Sequence, residues 1–144
     1  MLAPFERADG EFPYEIHRDL QETMQSLVGI FRNEEDLQKG LGEVRRLRAE
    51  AASVRVEGSR LFNPGWHLAR DLKSMLTVSE AVAMSALERK ESRGAHSRID
   101  FPELGPEWGT KNNIIWRDGD SMGLRQDRLS EMPADLKQVL SEEK

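Results

Sequence analysis

The sequence contains no cysteine, which excludes disulfides, thiolate zinc sites and iron–sulfur ligation by this chain. No apolar run approaches the ~20 residues needed to cross a bilayer. The opening Met1-Leu2-Ala3-Pro4-Phe5-Glu6-Arg7 also lacks the long apolar core of a signal peptide. Any association with a membrane is therefore expected to be indirect. A basic excess is missing as well. The formal net charge of −5 argues against a general nucleic-acid binder, because phosphate contacts need a net positive face.

What remains is a polar chain that can still fold. Its 144 residues are 38% hydrophobic and 33% charged, enough for one domain with a real core plus a tail. Pro13 can open a helix, and Ile16, Leu20, Met24, Leu27, Val28 and Phe31 recur at steps of three and four, predicting a helix over 13–30. Asn33 offers an N-terminal acceptor, with Glu34, Glu35 and Asp36 placed in the positive first turn of a second helix. Leu37, Leu41, Val44, Arg48, Ala51 and Val54 carry that helix over 34–54, despite Gly40 and Gly42. After the break at Asn63-Pro64-Gly65, the stripe Trp66, Ala69, Leu72, Met75, Leu76, Ser79, Val82, Ala83, Ala86 and Leu87 predicts a third helix over 65–92, with Gly94 ending it in a left-handed cap.

Three long helices with one apolar face each satisfy one another most simply as a bundle. The expected fold is mainly α, an antiparallel three-helix bundle of the spectrin-repeat type over residues 1–107. The extension over 108–144 has a different texture. Ile114-Ile115-Trp116-Arg117, the Asp118-Gly119 turn and Met122 to Leu129 predict a small hairpin. Pro133, Leu136, Val139 and Leu140 predict a short helix after it.

Most chemical signatures fail on spacing. Gly40-Leu41-Gly42 begins like a dinucleotide loop, but Arg45 occupies the third glycine position and no strand is predicted before it. His17, His67 and His96 carry none of the spacings that build a metal site on one helix face. Arg45-Arg46-Leu47-Arg48, flanked by Glu43 and Glu50, reads as a solvated helix face. Trp66, Trp108 and Trp116 read as core or interface anchors.

The densest stretch is Glu91 to Pro102, "ESRGAHSRIDFP". A catalytic reading makes His96 an acid/base group and Arg93 and Arg98 clamps for a dicarboxylate. A structural reading sets Arg89, Lys90 and Arg93 over the negative C-terminus of the third helix, and pairs Glu91 or Asp100 with the arginines. The structural reading is favoured, because acid/base chemistry needs a cleft and a lone bundle offers little concavity.

The same residues carry a family resemblance. Asn63 to Glu103, most specifically "ALERKESRGAHSRIDFP", resembles the carboxy-terminal helical domain of the flavoprotein subunit shared by succinate dehydrogenase and fumarate reductase. L-Aspartate oxidase carries a similar "ESRG" helix end. The flanking "FERADGEFPYEIHRDLQETM" and "PEWGTKNNIIWRDGD" resemble bacterial succinate dehydrogenases. The resemblance implies a parent subunit that interconverts succinate and fumarate with FAD and passes electrons to an iron–sulfur subunit. The segments that supply the flavin histidine and substrate-binding residues in the family have no counterpart here. The chain is thus expected to hold no catalytic residue, cofactor or metal, and to act as a packing and assembly module.

By that resemblance its partners are the FAD-binding domain and the iron–sulfur subunit, with no nucleic acid and the membrane reached only through the complex. Its location is cytoplasmic, or at the cytoplasmic face of the inner membrane. Glu91, Arg93, His96, Arg98 and Asp100 are expected at the interdomain contact. The alternatives are a free-standing helical interaction domain and the C-terminal domain of L-aspartate oxidase.

Overall fold

In the computed structural model, residues 2–142 are described, the side chains of 140–142 excepted. The chain divides into a unit ending at Gly105 and a second beginning at Pro106.

In the first unit, helix boundaries follow local chemistry. A four-residue α1 (Ala3–Glu6) precedes α2 (Pro13–Leu27), whose Glu15 carboxylate accepts the Phe12 N–H at 3.4 Å. Asn33 caps α3 (Glu34–Ala51), its Oδ1 accepting the Asp36 N–H at 2.8 Å. Asn63 does the same for α4 (Pro64–Glu88), accepting the Trp66 N–H at 3.1 Å, while Pro64 supplies a pre-set φ at the first position.

The core explains the helix directions. At one end Ile16 and Leu20 from the start of α2 meet Val44 and Leu47 from the end of α3, Val54 beyond it, and Leu72 and Leu76 from the start of α4. At the other end Val28 meets Leu37 and Leu41 from the start of α3, and Ala83 and Ala86 from the end of α4. Helix α3 therefore runs antiparallel to both α2 and α4. Gly40 permits the close approach of α3 to α2, since a Cβ there would lie 2.8 Å from Val28 Cγ2 and 3.1 Å from Leu27 Cβ.

Each helix is shorter than its sequence pattern. Helix α2 stops at Leu27 rather than residue 30, because the chain turns into β1 (Phe31–Arg32), which pairs in parallel with β2 (Ser97–Arg98). Phe31, counted above in the apolar stripe, is consequently 75% exposed. Helix α3 stops at Ala51 rather than 54, and Leu47, not Arg48, occupies its buried stripe. Helix α4 ends at Glu88 rather than 92, and its buried stripe holds Glu80 where Ser79 and Val82 were expected. Gly94 does not cap it. With φ +58° it serves instead the tight turn between Arg93 and His96, whose backbones bond to each other at 2.8 and 3.0 Å.

The second unit is a hairpin followed by a helix. Strands β3 (Lys111–Asp118) and β4 (Ser121–Arg128) pair antiparallel. Their two-residue loop is Gly119-Asp120, one position later than the sequence suggested. Gly119 takes φ +59° as the first central residue, the geometry that glycine supplies in a type II′ turn. Trp116 lies opposite Gly123, where a Cβ would fall 2.3 Å from the indole ring. Helix α5 spans Ala134–Glu142 with Leu136 and Val139 exposed, and the Leu140 side chain lies outside the described residues.

Leu72 is fully buried between the three long helices. Leu72→Asp places an unpaired charge there, at a cost of several kcal/mol against a total stability of about 5–15 kcal/mol. A circular dichroism melt should show a large loss of stability. An unchanged melt would contradict the packing.

Candidate functional site

The stretch Glu91–Asp100 forms a strap across the bundle end where α4 stops and α3 starts. Arg98 is its hub and is 0% exposed. Its Nη1 donates to the carbonyls of Ala86, Leu87 and Arg89, each at 3.1 Å, and so satisfies acceptors left open at the C-terminus of α4. Its Nε and Nη2 donate to the two Asp100 carboxylate oxygens, both at 2.8 Å. Asp100 Oδ2 also accepts the Glu34 N–H at 2.9 Å, at the N-terminus of α3. The cation thus faces the negative helix end and the anion the positive one. The Arg98 guanidinium, helped by the Glu34 N–H, holds the Asp100 carboxyl well below its ordinary value, at about 2.

A second ion cluster anchors the start of the strap. Glu91, also 0% exposed, accepts Arg93 Nε at 2.9 Å and Arg93 Nη2 at 3.1 Å, the Gly105 N–H at 2.9 Å, and a bond from Arg89. Arg93 is the first cause that keeps the Glu91 carboxyl below the usual range. Between the clusters, Ser92 Oγ accepts the Arg98 N–H at 2.8 Å and donates to the Phe101 carbonyl at 3.0 Å.

His96 ties the strap to β1. Its Nδ1 accepts Arg32 Nη1 at 2.6 Å, and its Nε2–H donates to the Arg89 carbonyl at 3.1 Å. These two partners require the neutral ring with the proton on Nε2. Burial, then the surrounding Arg32, Arg98 and Arg89, push its pKa down.

The structure therefore brings all five predicted residues together, but with different duties from those expected. The helix terminus is capped by Arg98 rather than by Arg89, Lys90 and Arg93. Arg98, a clamp for a dicarboxylate in the catalytic reading, is fully enclosed, so its guanidinium presents no open edge to such a substrate. His96 is partly buried, with the Arg32 guanidinium against Nδ1 and Arg98 and Arg89 nearby, which disfavours the imidazolium an acid/base cycle must pass through. Two cavities among the described residues of this unit lie elsewhere. One of about 730 Å³ is bounded by Trp66, Ala69 and Leu76, and one of about 330 Å³ lies beside Tyr14, Leu61 and Phe62.

Two participants escaped the sequence reading. Arg32 gave no signal beyond a charge after an apolar residue. Glu80, 3% exposed, accepts Arg45 Nε at 2.9 Å and Arg48 Nη1 at 2.6 Å, so the basic run is a solvated helix face, as read, that also closes over a buried carboxylate. Arg46 pairs within its own helix, with Glu43 and Glu50. A carboxylate four residues after Leu76, within the apolar stripe, was the available clue. Among the described residues, no three His, Asp or Glu side chains come together to hold a metal.

The family model described as "Fumarate reductase flavoprotein C-term" matches residues 17–142. This chain belongs to that family. A fumarate reductase flavoprotein subunit of Mycobacterium tuberculosis (strain ATCC 25618 / H37Rv) is 37% identical over 112 residues, covering 77% of this chain and 19% of that protein. A succinate dehydrogenase flavoprotein subunit of Coxiella burnetii (strain RSA 493 / Nine Mile phase I) is 34% identical over 110 residues, covering 76% and 19%. In the Mycobacterium smegmatis Sdh1 complex, a chain 43% identical superimposes with a TM-score of 0.88 over 94% of this chain and 24% of its own length. The chain thus spans about a fifth of the curated relatives it matches. As a C-terminal domain of succinate dehydrogenase and fumarate reductase flavoproteins, it fits the relatives better than either the free-standing adaptor or the L-aspartate oxidase reading.

Within this flavoprotein domain, Arg98→Ala should cost about 3–5 kcal/mol, because it leaves Asp100 and the α4 carbonyls without their partner. Arg93 is partly exposed and Glu91 keeps Arg89 and the Gly105 N–H, so Arg93→Ala should cost clearly less. Urea titrations of both variants check the order, and equal losses would contradict it.

The pH dependence has a definite sign. The folded-state pKa of His96 lies below its ordinary 6.5, so the unfolded chain binds that proton more readily. Stability from this group is complete above pH 6.5 and falls as the pH drops through the folded value. The Asp100 contribution survives further and is lost only as the pH falls toward about 2. Between about pH 7 and 5, the urea midpoint of wild type should fall more steeply than that of His96→Asn. Equal slopes would show that Arg32 and His96 are not so engaged.

Proposed function

We propose that this chain acts as a packing and assembly module of a flavoprotein subunit that interconverts succinate and fumarate with FAD. The supporting observation is the strap itself. Every charged group in the densest motif is engaged within the chain, leaving a shaped surface rather than a reactive one. Glu91, Arg98 and His96 hold the strap from inside. The partly exposed Arg93 and the Asp100 carboxylate at its edge make the interdomain contact.

The FAD of the parent subunit is bound elsewhere. The glycines weighed as a dinucleotide loop do not fit it: Gly40 lies within α3, packed against Leu27 and Val28, where a phosphate has no access. The two-residue β1 does precede α3, but Asn33 closes that helix start. The partners are the FAD-binding domain and, through the complex, the iron–sulfur subunit. Among the described residues no helix is long and apolar enough to cross a membrane. The complex would hold the chain at the cytoplasmic face of the inner membrane.

The test combines two measurements. The purified chain should show no stoichiometric flavin absorbance and no succinate-dependent dye reduction. It should bind the matched chain of the Mycobacterium smegmatis Sdh1 complex after that chain's own matching segment is removed, as read by calorimetry. A flavin band, turnover or absence of binding would overturn the proposal.

A further inference from the structure

The connection between α3 and α4 presents an apolar knob that the bundle does not use. Leu61 is 75% exposed and Phe62 98% exposed. Phe62 is also the one non-glycine residue described with a positive φ, +54°. A bulky side chain in that region is strained, and such strain persists only where neighbouring structure fixes it.

The neighbouring structure does fix it. Asn63 Nδ2 donates to the carbonyls of Glu57 and Ser59, both at 2.9 Å, while its Oδ1 caps α4. The Leu61 N–H donates to Ser59 Oγ at 3.0 Å. Gly58, at φ +94°, starts the turn. One asparagine thus holds the loop on one side and the helix start on the other. The pair is pre-organised, so docking it costs little ordering entropy. A cavity of about 330 Å³ opens beside it, bounded by Tyr14, Val56 and Gly65, which makes the surface a ridge next to a hollow rather than an isolated side chain.

We infer that Leu61 and Phe62 are an apolar anchor that inserts into the flavin-bearing body of the parent flavoprotein subunit. This rests on the packing-module reading above. The choice of occupant follows from length: the relatives that share this fold carry about four-fifths of their chain outside the matched segment, and that body is available to cover the knob. Aromatic side chains near the middle of an interface typically dominate its binding energy. Because the exposed pair contributes little to the bundle core, its loss should separate binding from stability.

The calorimetric titration with the shortened Mycobacterium smegmatis chain is repeated with Leu61→Ser/Phe62→Ser and with Phe62→Gly. The double variant should melt as wild type does and bind at least about tenfold more weakly. Phe62→Gly should melt at a higher temperature than wild type, since glycine adopts the positive φ freely, yet bind more weakly. Wild-type binding matched by both variants would overturn the anchor while leaving the packing module intact. Absence of binding by wild type would overturn both. Lower melting temperatures for both variants would show that the pair belongs to the core, and would also overturn the anchor.

Discussion

Two helix ends of opposite polarity meet in one place, and the rest of the strap depends on how they are neutralised. Because α3 runs antiparallel to α4, the N–H-rich start of one lies beside the carbonyl-rich end of the other. Each end leaves backbone groups unpaired. Arg98 at the end of β2 and Asp100 in the turn that follows answer both at once: the guanidinium takes the carbonyls of Ala86 and Leu87 in α4 and of Arg89 just beyond it, and the carboxylate takes the Glu34 N–H. Their mutual bidentate bond keeps the two charges balanced, with the guanidinium fully enclosed and the carboxylate at the solvent edge. The parallel β1–β2 pairing sets Arg98 opposite Arg32 at this same end of the bundle.

A similar logic joins the middle of the bundle. Glu80 in the α4 stripe is buried against α3 and would be prohibitive alone, but Arg45 and Arg48 reach over it from exposed positions. Buried ion pairs add little net stability compared with apolar replacements. What they do here is fix which turn of α3 faces which turn of α4. Gly40 fixes the other helix pair by contact distance. The domain thus sets its register by charge on one side and by close approach on the other, as a surface that must present a rigid strap and a rigid loop requires.

The helical periodicity and the Asn33 cap were legible in the sequence, because Asn33 acts on a neighbour three residues away, whereas Asn63 was read only as a chain break although it caps α4 in the same way. Helix ends were not, since each was overridden by a distant partner: α2 yields to the pairing of residues 31–32 with 97–98. Leu47 was hidden beside Arg48 by a one-residue phase difference, and Glu80 was passed over because a carboxylate does not look like a core residue. In the strap, the pairing of carboxylates with arginines was readable from composition. That Arg98 rather than Arg93 caps α4 was not, because the chain first turns at Gly94 and returns. The exposure and positive φ of Phe62 left no trace in the local pattern.

The central claim is that one ion pair couples the end of α4 to the start of α3. Native-state hydrogen exchange in Asp100→Asn tests it most directly. Asparagine keeps the size of the side chain but removes the charge that orients Arg98. The account predicts that the Glu34 amide and the amides of the last turn of α4, through Arg89 N–H to the Ser85 carbonyl, lose protection together, while those of the α2 core around Ile16 and Leu20 keep theirs. Loss of protection at Glu34 alone, with the last turn of α4 unchanged, would contradict it.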